Sequence, residues 1–221
     1  MRTLDRRERL RRARLYFVTD IRPDLEQLLA AAIAGGADMV QLRDKSASDE
    51  ELLAAGEVFR RACDAGDALF WLNDRADLAP RCGADGVHVG QDDMPPADVR
   101  NVLGRDRLVG LSTHSPAQLD AALAAGEADE LSVGPVWETP TKVGRVAAGL
   151  GYVRYAATHA GERPWFAIGG IDLGNVREVI EAGASRIVVV RAIRDAPDPR
   201  AAAASLRAAL DEASGGAEGQ P

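Results

Sequence analysis

Cysteine is scarce in this chain. Only Cys63 and Cys82 occur among 221 residues, and their placement fits neither a metal motif nor a disulfide framework. Both read as buried thiols of a reducing compartment, the cytoplasm. Long apolar runs are also missing. None approaches the ~18 residues of a membrane span, so no membrane partner is expected. Residues 1–14 carry seven arginines against Asp5 and Glu8, without the apolar core of a signal peptide. This segment reads as a frayed, solvated helix, an extension ahead of the folded domain. Basic residues are not in surplus overall: 27 Lys and Arg face 34 Asp and Glu, a formal net charge of −7. That balance argues against a general nucleic-acid partner. A small polyanion would need a local cationic or metal-filled pocket. Length is limited too. At 221 residues the chain suits one domain but is short for eight β/α units, which typically take ~250 residues. Every connection must then be brief.

What is present is an alternation. Short β-rich apolar runs occur at Leu15–Thr19, Met39–Leu42, Ala68–Leu72, Gly86–Val89, Leu108–Leu111, Leu131–Val133, Trp165–Ile168 and Arg186–Val190. They are apolar throughout, as expected of strands buried on both faces. Between them lie stretches of helical period. The first carries Leu25, Leu28, Leu29, Ala32 and Ile33 on one face, and others run Asp49–Ala65, Asp74–Arg81, Pro96–Leu103, Pro116–Ala125, Tyr152–His159, Leu173–Glu181 and Arg200–Ala213. Ser48 and Ser115 are expected N-caps, the second followed by Pro116 at a first helical position.

A faint repeat runs through the joints. Ala34 to Asp38, Cys82 to Asp85, Ala125 to Asp129 and Ala182 to Ala184 each close a helix and open a strand with a glycine and a small residue. The glycine suits the turn after a helix end. Such spacing predicts a single-domain α/β fold, a (β/α)8 TIM barrel, over residues 15–213, with a Gly-rich disordered tail at 214–221. An open doubly wound sheet is the alternative, but none of the eight runs looks like an exposed edge.

In a barrel of this kind, polar residues just after each strand form the catalytic rim. After the second run come Gln41, Leu42, Arg43, Asp44 and Lys45, and strand alternation puts Gln41, Arg43 and Lys45 on one face. Two cations and an amide turned inward call for an anion. The third and fourth runs end in Asn73-Asp74-Arg75 and in His88-Val89-Gly90-Gln91-Asp92-Asp93. Asp74 and Asp93, on adjacent strands, suit Mg²⁺, which takes one or two carboxylates and completes its shell with water and phosphate. A helix N-cap is the other reading of Asp74, and a solvated loop the other reading of Asp92 and Asp93. Ser112, one residue past the fifth run, is placed to face a ligand, whereas His114 is left unassigned. The long segment from Gly134 to Gly144 holds Thr139, Thr141 and Lys142 and reads as a binding loop. Gly169-Gly170 and Val190-Arg191 follow the last two strands, where barrels of this type commonly cradle a phosphate.

Taken in order, these motifs resemble thiamine phosphate synthase. The residues that carry the resemblance are Tyr16 to Asp20, Gln41-x-Arg43-x-Lys45, Asn73-Asp74-Arg75, Gly86 to Pro95, Gly110 to His114, Gly134-Pro135 with Thr139 to Lys142, and Ile168 to Ile171. The resemblance spans Leu15 to Arg207. It implies a transferase with two small-molecule substrates, a hydroxymethylpyrimidine diphosphate and a thiazole phosphate, which yield thiamine phosphate and pyrophosphate. It implies that Gln41, Leu42, Arg43, Asp44, Lys45, Asn73, Ser112 and Lys142 bind the pyrimidine diphosphate. Asp74 and Asp93 would hold Mg²⁺, and Thr139, Pro140, Thr141, Gly170, Val190 and Arg191 the thiazole phosphate. Lys142, Arg43 and Ser112 would act in catalysis, which the family is expected to begin with departure of pyrophosphate. Arg191 is a departure, since the family commonly has serine there. The competing expectations are a metal-free thiazole tautomerase leaning on His88 or His114, and a non-catalytic barrel that binds a phosphorylated ligand. The oligomeric state is not fixed by the sequence.

Overall fold

A computed structural model describes residues 5–138 and 146–215 of the chain. A first helix, α1 (Arg6–Arg12), precedes β1 (Leu15–Thr19), α2 (Leu25–Ala34), β2 (Met39–Leu42), α3 (Asp49–Gly66) and β3 (Leu69–Asn73). Then follow α4 (Ala79–Cys82), β4 (Gly86–Val89), α5 (Pro96–Leu103), β5 (Leu108–Thr113), α6 (Pro116–Ala125) and β6 (Glu130–Val133). The last part contains α7 (Gly149–His159), β7 (Trp165–Ile168), α8 (Val176–Glu181), β8 (Ile187–Val189), α9 (Arg191–Arg194) and α10 (Pro199–Gly215). All neighbouring strands pair in parallel, and β8 pairs back to β1, so the sheet is a closed barrel and the open-sheet alternative falls.

The alternation along each strand explains why the runs are apolar on both faces. In β1, Leu15 and Phe17 pack outward against the helices, while Tyr16 and Val18 point into the barrel. Met39, Leu69, Leu108, Trp71 and Phe166 fill the lower interior with them. Tyr16 meets Phe166 edge-on, with ring centroids 5.7 Å apart. Among the described residues these side chains fill the lower barrel, and the C-terminal rim is left for a ligand.

Helix α1 corrects the expectation of a frayed, solvated extension. Leu10 is 2% exposed and packs into the same interior cluster as Met39 and Leu108. Arg6 Nε lies 2.8 Å from Asp85 Oδ1, and Arg7 Nε 3.2 Å from Asp129 Oδ1. The helix is a plug for the N-terminal end of the barrel. Its single apolar residue carries too little periodicity to announce a buried face.

The repeated joints gain a physical meaning. Asp38 Oδ2 accepts from the backbone N–H groups of Arg14 (2.7 Å) and Leu15 (3.0 Å) at the start of β1. Asp85 accepts from Phe70 N–H (2.9 Å) in β3, and Asp129 from Val109 N–H (2.9 Å) in β5. An arginine joins each carboxylate: Arg207, Arg60 and Arg100. Each staple ties an even strand to the odd strand before it. These hydrogen bonds and Arg60 hold the Asp85 carboxyl below the usual range although burial acts against them.

Other boundaries shift in instructive ways. A helix from Asp74 to Arg81 was expected, yet only Ala79–Cys82 is helical. Asp74 has φ 61°, a left-handed backbone that breaks any helix there and removes its N-cap reading. Helix α9, directly after β8, had no signal in the sequence, and α10 continues into the expected tail as far as Gly215. Ser48 forms a full capping box with Glu51, and Ser115 caps α6, as expected. Both cysteines are free and buried, and burial pushes the Cys63 thiol up to about 12. No helix among the described residues is long and apolar enough to cross a membrane.

Candidate active site

The upper barrel holds a polar cavity. Gln41, Arg43 and Lys45 line it together, as strand alternation requires, and Asn73, Asp74, Asp93 and Ser112 join them from β3, the segment after β4, and β5. Lys45 Nζ sits 3.0 Å from Asp74 Oδ2. Asp93 Oδ2 accepts from Gly90 N–H at 2.9 Å, which fixes that carboxylate at the rim. No hydrogen bond or ion pair engages the Arg43 guanidinium among the described residues. Gln41 is buried and donates its amide to the Tyr16 hydroxyl below. Burial, with Glu130 nearby, pushes that phenol well above its ordinary range, so it stays a neutral hydrogen-bonding group.

Two expected ligands of this set do not turn inward. Leu42 lies in the opposite phase and packs its side chain against the helices. Asp44 folds back on its own turn: its Oδ1 accepts from Ser46 Oγ at 2.7 Å and from Ser46 N–H at 3.1 Å. Those bonds hold its carboxyl below the usual range. Leu42 and Asp44 therefore shape the strand end and offer the cavity no side chain.

A second cavity adjoins the first and shares Ile168, Val188 and Val190 with it. Gly170, Val190 and Arg191, three of the expected phosphate ligands, line it. Gly169 and Gly170 have φ values of 107° and 69°, which L side chains avoid. A Cβ on Gly170 would also stand 2.9 Å from Trp137 Cβ. The bare backbone thus lets the segment after β6 cross closely: Val136 N–H donates to Ile168 O (2.8 Å) and Trp137 N–H to Gly169 O (3.1 Å). The His114 ring nitrogen Nδ1 meets the Gly134 carbonyl at 2.5 Å, which makes His114 an anchor for this crossing. Thr139, Pro140, Thr141 and Lys142 lie outside the described residues.

One buried group escaped the sequence. Glu130 is fully buried inside the barrel, with Oε2 at 2.9 Å from His88 Nδ1 and Oε1 accepting from Ser132 Oγ at 2.8 Å. His88 Nε2 lies 2.9 Å from Ser112 Oγ. With the sixth strand expected to open at Leu131, Glu130 fell in the preceding turn. Its phase with Ser132, two residues on, was the available signal.

This pairing of an acid-and-cation cavity with a glycine cradle has relatives. The thiamine monophosphate synthase family matches residues 15–193. The chain belongs to that family. A thiamine-phosphate synthase of Thermus thermophilus is 55% identical over 202 residues, covering 89% of this chain and 97% of its own. One from Acidothermus cellulolyticus is 53% identical over 201 residues, covering 90% and 95%. Among solved structures, a thiamine phosphate pyrophosphorylase from Pyrococcus furiosus superposes with a TM-score of 0.83 at 33% identity, covering 94% of this chain and 98% of the other. The expected enzyme class, a synthase of the thiamine monophosphate family, is borne out. These relatives carry the synthase name, which goes against the tautomerase and non-catalytic alternatives.

Proposed function

We propose that the upper cavity binds the pyrimidine diphosphate, the glycine cradle binds the thiazole phosphate, and the chain joins the two into thiamine phosphate with release of pyrophosphate. The observation that carries this reading is the adjacency of the two cavities, one lined by cations and carboxylates and the other by the Gly169-Gly170 backbone with Val190 and Arg191. A bond formed between two phosphorylated substrates needs two anion sites that touch. Two free, buried cysteines suit a reducing compartment, and we place the enzyme in the cytoplasm.

The donor set fits Mg²⁺. Asp74 and Asp93 offer hard carboxylate oxygens from adjacent strand ends, the number Mg²⁺ usually takes from protein. No group of three or more His, Cys, Asp or Glu side chains that could hold a metal occurs among the described residues, so a closed all-protein cage is not the design. Asp74 already attracts one cation, the Lys45 ammonium. Bound there, Mg²⁺ would neutralise charge on the diphosphate oxygens.

The side chains account for the remaining work. Arg43 offers a planar fork to diphosphate oxygens, and Lys45, drawn from Asp74, adds a point charge. Lys142 is assigned the same task from the segment after Glu138. Charge grows on the leaving group as the methylene–oxygen bond breaks, so cations placed there favour the transition state over the ground state. Asn73 and Ser112 hold the pyrimidine ring. Gly170, Val190 and Arg191, with Thr139, Pro140 and Thr141, hold the thiazole phosphate so that the ring nitrogen faces the departing methylene.

Pyrophosphate release in the presence of both substrates tests the assignment. Release that requires Mg²⁺, stops in EDTA and falls steeply in Arg43→Ala is the expected result. Full release in EDTA would remove the metal from the account. Binding of both ligands without release would restore the non-catalytic reading.

A further inference from the structure

An asparagine at the start of a helix ordinarily caps it, its side-chain oxygen taking a free N–H of the first turn. Asn175 stands at that position before α8, yet its side chain makes no such bond. The amide turns back to the segment after β7 instead. Oδ1 accepts from Asp172 N–H at 2.9 Å, and Nδ2 donates to Gly170 O at 2.8 Å. One side chain thus spans the two peptides on either side of Ile171.

Those peptides belong to the glycine cradle. Gly170, Ile171 and Asp172 line its cavity, and Asn175 stands outside that lining. In a planar trans peptide the C=O and the N–H point to opposite sides. Drawing Gly170 O to Asn175 therefore turns the Ile171 N–H away from Asn175 and toward the cavity. Among the described residues no hydrogen bond takes that N–H or the N–H of Gly170. Without the asparagine this peptide is free to turn over, because Gly170 has no Cβ to restrict the bond beside it. Turned over, it would present a carbonyl oxygen to the cavity, and that oxygen would repel an anion. The rest of the turn is tied independently. Asp172 Oδ1 accepts from Gly174 N–H at 2.8 Å, and Asp172 O from Val176 N–H at 2.9 Å.

We propose that Asn175 is a positioning residue of the cradle, which locks the Gly170–Ile171 peptide so that the Ile171 N–H donates to the phosphate of the thiazole substrate. The inference rests on the placement of that phosphate in this cavity. A backbone N–H fixed before the anion arrives leaves no ordering cost to be met on binding. The lock acts on the phosphate alone. It touches neither the diphosphate cavity nor the bond that forms, so its effect belongs in the binding of one substrate.

Two measurements test this. In nitrogen-15 NMR of isoleucine-labelled wild-type enzyme, with Ile171→Val assigning the signal, the Ile171 amide proton should move downfield when thiazole phosphate is added. It should stay in place with the unphosphorylated thiazole alcohol. An Ile171 amide that ignores the phosphate, or that answers both ligands alike, overturns the proposal. The reading is made on wild-type enzyme and does not depend on any variant folding. The second measurement is kinetic. Asn175→Leu, similar in size but unable to form either hydrogen bond, should raise the KM for the thiazole phosphate about tenfold or more. That is the scale of losing one hydrogen bond to a charged group. The KM for the pyrimidine diphosphate and kcat should stay within about twofold. An unchanged KM for the thiazole phosphate, or equal rises in both KM values as from a loosened fold, overturns it. Failure of the site assignment would show separately, because Gly170→Ala would then leave the KM for the thiazole phosphate unchanged. A silent Ile171 amide beside a KM that rises in Gly170→Ala overturns the role of Asn175 and leaves the site in place.

Discussion

Replacing Asp74 separates backbone strain from metal binding at one position. Its φ of 61° puts a Cβ-bearing residue in the left-handed region. That conformation costs an ordinary L residue about 1–2 kcal/mol. Glycine avoids this cost but gives up about 0.5–1 kcal/mol through the freedom of its unfolded chain. Asp74→Gly should therefore be more stable than Asp74→Ala by about 0.5–1 kcal/mol, or roughly 2 °C in Tm for a domain of this size. Both variants lose the pair with Lys45, so that contribution cancels. It is small in any case, because the Lys45 side chain is 55% exposed. Both variants also lose a carboxylate assigned to Mg²⁺, and neither should show Mg²⁺-stimulated pyrophosphate release. Thermal unfolding followed by circular dichroism measures the first effect, and a Mg²⁺ titration of turnover the second. An alanine variant as stable as the glycine variant would refute the strain argument. Mg²⁺-stimulated turnover in either would refute the metal assignment.

Three further predictions follow from other parts of the barrel. Leu10→Ala should cost about 2–5 kcal/mol in denaturant unfolding, as expected for a buried leucine, with kcat unchanged well below Tm. A cost under about 0.5 kcal/mol, the surface value, would return α1 to a solvated extension. Asp85→Asn should cost about 3 kcal/mol, the scale for breaking a buried charge pair. Because the native Asp85 carboxyl sits below its ordinary range, its contribution is present above about pH 4. It is lost as pH falls through the depressed native value. The stability gap between wild type and variant should therefore be flat from neutral pH down to about pH 5 and shrink in stronger acid. A gap that widens in acid would contradict the sign. Gly170→Ala, which forces a Cβ toward Trp137, should raise the KM for the thiazole phosphate about tenfold, equivalent to ~1.4 kcal/mol of strain. The KM for the pyrimidine diphosphate should stay the same, and equal rises in both would mean the two cavities are not separate sites.

The barrel was legible because its strands are buried on both faces. Four of the eight runs, Leu15–Thr19, Met39–Leu42, Gly86–Val89 and Trp165–Ile168, coincide with observed strand limits, and the fifth shares its start at Leu108. The inward phase of Gln41, Arg43 and Lys45 was legible for the same reason, since alternation fixes direction once a strand is known. Leu42 and Asp44 fall away on that rule too: a contiguous motif cannot turn every side chain to one face. What stayed hidden depends on tertiary contacts. One leucine in α1 gives no periodicity, yet it closes the barrel floor. The left-handed backbone of Asp74 arises where the chain leaves β3, with its N–H donating to His88 O at 2.9 Å. Glu130 looked like part of a polar turn because its partners, His88 and Ser132, are joined to it only by strand register. The joint aspartates were visible as a repeat, but their work as staples between strands was not.

The central claim is that two adjoining sites divide the chemistry, with the metal and diphosphate at one and the thiazole phosphate at the other. A crystal structure of the enzyme with thiamine phosphate, pyrophosphate and Mn²⁺ in place of Mg²⁺ tests it most directly, because anomalous scattering locates the metal. The account predicts Mn²⁺ bound by carboxylate oxygens of Asp74 and Asp93 at about 2.1–2.2 Å, slightly longer than Mg²⁺ distances. Pyrophosphate should lie against Arg43 and Lys45, and the phosphate of thiamine phosphate against Gly170 and Val190. Metal bound elsewhere, or both phosphate groups in one cavity, would contradict it.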